Sequence, residues 1–193
     1  VNDMDKAQLA AMEKAPLGYA AKIRAKIETL LESHYRENFE RWLETERIVC
    51  KPYFRLRPSI HPATYTDIYA RSLYAAEDGD MNKLEQKLIV ELTALPNVRW
   101  WHRNIARQDF AINGFIKHYP DILIMTKSGK LICAETKGEH LKNDDSREKI
   151  ALGQAWRTAA GKDYRYYMVF ENEENLLPGA VSMSQFIDTV KAL

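Results

Sequence analysis

Two apolar runs flank a short turn in the middle of the chain, and their spacing leaves few ways to pair them. The first run is Tyr119 to Thr126 and the second Lys130 to Lys137, with Lys127-Ser128-Gly129 between. Three-residue hairpin loops favour a glycine in the left-handed conformation at their end, and Gly129 stands there. That loop sets Thr126 opposite Lys130, and counting back along both strands sets Asp121 directly opposite Glu135. A two-residue loop would set Asp121 against Thr136, on the wrong face. Glu135 and Lys137 are separated by one residue, so in a strand both point the same way, roughly 7 Å apart. Directly opposed Cβ atoms lie about 4.5–5.5 Å apart, close enough for two carboxylates to share one divalent cation. Leu131 to Ala134 is apolar on both faces, the mark of a buried central strand whose terminal charges need a reason.

The remaining pattern builds a sheet around this hairpin. Ile23, Ile27, Leu30, Leu31, Tyr35, Phe39, Trp42 and Leu43 recur at helical spacing, predicting a long amphipathic helix over 17–46 with Pro16 at its start. Residues 48–62, with three prolines, read as short strands or extended chain, and 68–76 as a short helix. Glu77-Asp78-Gly79-Asp80 reads as a turn, with a soft boundary at about residue 80. Beyond it come a helix over 81–95 stopped by Pro96, a strand over 98–103 and a second candidate strand over 110–116, bent at Gly114. After the hairpin follow a helix over 146–160 ended by Gly161, a strand over 164–170 and a helix over 184–192. The expectation is an α/β fold, a mixed sheet flanked by helices, with residues 1–80 a helical connector and 81–193 the main domain.

Asp121, Glu135 and Lys137 form a set that suits phosphodiester hydrolysis. The carboxylates, with the Thr136 carbonyl, hold a hard cation that lowers the pKa of an attacking water, and the lysine orients that water or meets the growing charge. Oxygen ligands without a Cys/His cluster favour Mg²⁺ or Mn²⁺ over Zn²⁺. Pro120-Asp121, thirteen residues, then Glu135-Thr136-Lys137 resembles the PD-(D/E)xK nuclease superfamily. More narrowly, Ser72-Leu73-Tyr74, Trp100-Trp101-His102-Arg103-Asn104, Tyr119-Pro120-Asp121 and Glu135-Thr136-Lys137-Gly138 look like the C-terminal nuclease domain of type III restriction enzymes and related DEAD/DEAH-type helicase-nucleases. The resemblance implies a restriction-endonuclease-like fold and metal-dependent DNA cleavage leaving 5′-phosphate and 3′-hydroxyl ends. It also implies partnership with a helicase/ATPase part of a parent protein, and with a methyltransferase subunit. No GxxxxGK[ST] pattern occurs in the chain, so the motor is expected elsewhere, and the start at Val rather than Met suggests an excised piece.

The superfamily often adds an acidic residue from the first core helix, for which Glu85 and Glu91 are the candidates. Glu85 falls inside the apolar arc of Met81, Leu88, Ile89 and Leu92 and is preferred; the plainer reading is a boundary glutamate whose stem covers apolar surface. Arg99 to His118 carries four cations against Asp109, interleaved with aromatics, and Arg103 and Arg107 are the preferred DNA contacts. Of Trp100 and Trp101, one is expected in the core. Lys149 can reach a phosphate and Gln154 can sit beside the metal, although solvated helix residues are the plainer reading of both. His102, His118 and His140 fall near the set in sequence and receive no role, and Cys133 reads as a small core residue.

A formal net charge of +1 excludes a strongly basic nucleic-acid protein, so DNA binding must come from a local patch. Two cysteines make no disulfide framework, and no run is long enough to cross a bilayer, which leaves a cytoplasmic location as the expectation. The rival readings are a non-catalytic DNA-binding or assembly module that keeps the fold, and an interaction domain that works through the long first helix.

Overall fold

The computed structural model describes residues 5–48, 50, 51 and 53–193. The chain forms two compact units, Val1–Ile48 and Val49–Leu193. In the first, α1 (Lys6–Lys14) is opened by Asp5, whose carboxylate accepts from the Gln8 amide in a capping box. It is followed directly by α2 (Pro16–Glu44), whose first turn carries Pro16, where a missing N–H costs nothing. The long helix expected over 17–46 is therefore present, and α1 is an addition to it. Ile23, Ile27, Leu30, Leu31, Tyr35 and Trp42 are exposed on α2, and only Phe39 is buried.

The second unit is mixed α and β. Two-residue strands β1 (Tyr65–Thr66) and β2 (Glu77–Asp78) pair antiparallel ahead of α3 (Lys83–Ala94), which Asn82 and Glu85 open with a capping box. Then come β3 (Val98–Arg103), the small antiparallel pair β4 (Ile112–Asn113) and β5 (Lys117–His118), β6 (Ile122–Thr126) and β7 (Leu131–Lys137). A 3₁₀ turn at Glu139–Leu141 leads to α4 (Asp144–Ala160), β8 (Tyr164–Phe170), β9 (Ala180–Ser182) and α5 (Met183–Lys191). The main sheet has the order β3-β6-β7-β8-β9, antiparallel from β3 to β7 and parallel from β7 to β9. The apolar strand β7 thus sits in the middle. On one face Ile122, Ile124, Ile132, Ala134 and Val169 pack with Leu88, Ile89 and Leu92 of α3 and Phe186, Ile187 and Val190 of α5. On the other, Leu123, Cys133 and Tyr166 are buried on the side of α4, where Gly153 lets the helix backbone lie against the Tyr166 ring.

Three expectations from the sequence are corrected. Residues 68–76 are not helical: Arg71 takes a left-handed φ of 60°, Trp101 N–H donates to Arg71 O at 3.0 Å and Leu73 N–H donates to Trp101 O at 2.8 Å, so this segment lines the free edge of β3. Glu77 and Asp78 are a strand rather than an open turn, and Glu77 is fully buried. The division of the chain falls at 48/49 rather than near 80, because 53–80 is fastened to the sheet by side chains. Arg57 donates to both Asp109 oxygens at 2.6 and 3.0 Å, Asp109 Oδ2 lies 3.3 Å from His102 Nε2, and Glu77 Oε2 lies 2.7 Å from His102 Nδ1. The described positions of 48–62, expected as short strands or extended chain, carry no strand and no helix; Val49 and Pro52 lie outside the described residues. The strand expected over 110–116 shrinks to Ile112–Asn113, and β9 was not anticipated. Trp101 is the core tryptophan, its Nε1–H donating to Ala70 O at 2.8 Å, and Trp100 is half-buried.

Candidate active site

The β6–β7 register is the one the turn dictates. Ile122 pairs with Ala134, Leu123 with Cys133, Ile124 with Ile132 and Met125 with Leu131, and Thr126 N–H donates to Lys130 O at 2.9 Å. Gly129 has a φ of 85°, the left-handed turn position. One step further along this register lies Asp121, opposite Glu135, and Asn104 N–H donates to the Asp121 carbonyl at 2.9 Å, holding the chain in line with β3. Alternation puts Glu135 on the α4 side of the sheet with Leu123 and Cys133. Asp121 instead lies in a bend at the end of β6, and its carboxylate reaches Thr136 and Arg103, the partner of Glu85 on α3.

Asp121 Oδ2 accepts from the Thr136 amide at 2.8 Å and from the Thr136 hydroxyl at 3.1 Å, so the residue between Glu135 and Lys137 aims the carboxylate. A strand residue's N–H and C=O face the same edge, so the Thr136 carbonyl also faces the end of β6. Glu135 is buried; its Oε1 lies 2.7 Å from Lys137 Nζ, whereas its Oε2 has no hydrogen-bond donor. Burial pushes the Glu135 carboxyl pKa well up and the nearby Asp121 charge adds to this, with the Lys137 ammonium pulling the other way. Burial works against the charge on Lys137, but the carboxylates of Glu135 and Asp121 outweigh it and hold the ammonium pKa above its ordinary value.

Glu85 is buried on α3, as its place inside the apolar arc implied, and Glu91 is exposed. Its oxygens are already engaged: Oε2 accepts from Asn82 N–H at 2.9 Å and Oε1 from Arg103 Nη2 at 3.2 Å. Burial raises the Glu85 pKa and the Asp121 charge adds to it, with Arg103 opposing. Arg103 also donates to the Asp121 carbonyl at 2.8 Å and approaches its Oδ1 at 3.5 Å. Arg103 is thus an internal cation that bridges the two acids, not an open contact on a DNA groove. Its Nε is buried without a partner. Arg107 is exposed on the turn after β3 at a φ of 66°. Lys149 Nζ pairs with Asp145 at 2.7 Å and is near enough to bear on the charges of Glu135 and His118. Gln154 is not drawn to the carboxylates: its side-chain oxygen accepts from Arg157 at 3.5 Å, and it lines an open pocket with Arg157, Thr158, Gly161, Lys162 and Arg165.

His118 received no role from the sequence, yet it is buried beside the site. Its Nε2 lies 4.0 Å from the unpartnered Glu135 Oε2 and 2.9 Å from the Tyr166 hydroxyl. Burial, with Lys149 and Lys137 adding to it, takes the His118 pKa down to about 3, so the ring is neutral. The one signal for it was its place three residues before Asp121; Tyr166, from β8, gave none. Cys133 is fully buried, as read, and burial pushes its thiol pKa up.

Among the described residues, no group of three or more His, Cys, Asp and Glu side chains gathers as a metal cluster. Two carboxylates and a main-chain carbonyl nevertheless are the donor types that suit one hard divalent cation: Glu135 Oε2 is buried without a donor, and Lys137 and Arg103 supply positive charge beside Glu135 and Asp121. No helix of the described residues is long and apolar enough to cross a membrane. No protein-family model, no curated protein and no solved structure matches the chain.

Proposed function

We propose that the second unit is a metal-dependent DNA endonuclease of the PD-(D/E)xK kind, with a restriction-endonuclease-like fold. The observation that carries this reading is the β7 terminus. The hairpin register leads Asp121 to the end of β7 that carries Glu135, where Lys137 is bound to one Glu135 oxygen and nothing donates to the other. Asp121, Glu135 and the Thr136 carbonyl would hold Mg²⁺ or Mn²⁺, with Glu85 joining if it leaves Arg103. A bound cation of this kind lowers the pKa of an attacking water and neutralises the scissile phosphate. Thr136 fixes the Asp121 carboxylate through two hydrogen bonds. Lys137, kept charged by Glu135, meets the charge that develops on the phosphate. Arg107 and Lys149 are the remaining candidates for phosphate contacts. The same reading places the chain in a larger type III restriction-like helicase-nuclease of the cytoplasm. There it would work with an ATP-driven motor and a methyltransferase partner, and cleavage would leave a 5′-phosphate and a 3′-hydroxyl.

The test pairs cleavage with metal binding. Supercoiled plasmid with Mg²⁺ or Mn²⁺ should be cut by the wild type, and Asp121→Ala or Lys137→Ala should lower the rate about 100-fold or more. Cutting that survives both substitutions rejects the site. Calorimetry with Mn²⁺ should show binding that is lost in Asp121→Ala and Glu135→Ala and retained in Lys137→Ala; unchanged binding in the two carboxylate variants rejects the metal assignment.

A further inference from the structure

The first unit ends in a long helix most of whose large apolar residues are exposed, Phe39 being the buried one. α2 has 29 residues, about 44 Å of helix. At 100° per residue, Ile23, Ile27, Leu30, Leu31, Tyr35 and Trp42 fall within an arc of about 140°, and all six are exposed, by 44 to 56%. Arg24, His34, Asn38 and Arg41 fall in the same arc, so the apolar surface is densest from Ile23 to Tyr35, and its exposure there marks an interaction surface.

The charges beside the stripe say what covers it. Lys22 and Lys26 lie along one flank in the N-terminal half, and Glu37, Glu40 and Glu44 continue the same flank in the C-terminal half. All five are exposed. The asymmetry extends to the helix as a whole. From Pro16 to Lys26 it carries Lys22, Arg24 and Lys26 and no acid, whereas Ile27 to Glu44 carries five glutamates against two arginines. Two parallel copies in register would lay the basic half beside the basic half and the acidic half beside the acidic half. Two antiparallel copies crossing near Leu31 would set Lys22 opposite Glu40 and Lys26 within one residue of Glu37, twice over by symmetry. They would also lay Ile27 against Tyr35. A surface complementary to itself under a two-fold rotation is what an isologous dimer requires.

We propose that α2 is a dimerisation helix that pairs antiparallel with α2 of a second copy of this chain, burying the Ile23–Trp42 stripe and matching its basic half to its acidic half. This rests on the first unit alone and is independent of the nuclease reading.

Analytical ultracentrifugation of the full chain tests it, with circular dichroism to check that each variant keeps its helices. The wild type should sediment as a dimer that dissociates on dilution, and a monomer at all concentrations up to ~100 µM overturns the proposal. Leu30→Asp with Leu31→Asp should give a folded monomer, and a dimer that survives this pair overturns it. Lys22→Glu with Lys26→Glu should weaken the dimer about tenfold or more, since attractive flanking pairs become repulsive. Adding Glu37→Lys and Glu40→Lys should restore it to within a few-fold. Charge variants without effect, or a fourfold variant no tighter than the double, overturn the antiparallel pairing.

Discussion

Glu135 keeps one buried oxygen without a donor, which is costly for a charged carboxylate in a dry site. Its raised pKa means that the folded protein binds this proton more tightly than the unfolded chain does. The associated stability is present at low pH and is lost as pH rises from the ordinary glutamate value of about 4.3 through the raised folded value. Metal-free melting temperature should therefore fall between about pH 6.5 and pH 9, above the range in which His118, its pKa held down by burial, contributes the opposite slope, and the fall should flatten in Glu135→Gln. The flattening is partial, because His102, whose pKa is raised by Asp109 and Glu77 against the effect of burial, has the same sign. An identical slope in the variant rejects the buried-proton account. At this scale the sequence showed Glu85 well, since an acid inside an apolar arc is visible on a helical wheel. Arg103 was misread because its targets, Glu85 and Asp121, each lie 18 residues away and only folding brings them to it.

Among elements, those with strong local signals were readable. The β6–β7 register followed from a period of two and one glycine, and β3 and β8 have the bounds the apolar runs suggested. The capping side chains of Asn82, Asn143 and Ser182 place the helix starts, within one or two residues of where periodicity put them. The 68–76 segment was not readable, because its apolar spacing suits a helix and its backbone partner, the edge of β3, is a tertiary fact. The contact of α4 with β8 was equally hidden, and it is tight. A methyl on Gly153 would intrude on the fully buried Tyr166 ring, whose hydroxyl pairs with His118. Gly153→Ala should lower unfolding free energy by about 1–3 kcal/mol in urea titrations, whereas Gly161→Ala, with open space around its Cβ, should cost only its left-handed strain. Equal stability of Gly153→Ala and wild type would contradict that packing.

For the molecule as a whole, the buried chain Arg57–Asp109–His102–Glu77 decides where the second unit can be cut. Burial works against the Asp109 carboxylate, but hydrogen bonds from His102 and Arg57 prevail and take its pKa down to about 2. Removing one partner from such a network leaves a buried charge unmatched and costs about 3–5 kcal/mol. A fragment of residues 49–193 should thus unfold cooperatively with native near-ultraviolet dichroism, and one of residues 81–193, which lacks Arg57 and Glu77, should be largely unfolded. A stable 81–193 fragment would show that the sequence-based boundary near 80 was sound after all. The composition around residues 77–80 signalled a turn, and nothing local told that the first residue of that turn would be a buried partner for His102.

The turn at Lys127-Ser128-Gly129 works as the zero mark of a ruler that runs along two strands to the carboxylates. Adding or deleting one residue there would touch nothing at the active site and would leave the apolar composition of both strands unchanged. It would nonetheless shift every facing pair by one and carry Asp121 away from Thr136, whose amide and hydroxyl aim its carboxylate. Ranking substitutions by distance from the carboxylates would score this remote tip as tolerant, when its length is among the dimensions the site depends on most.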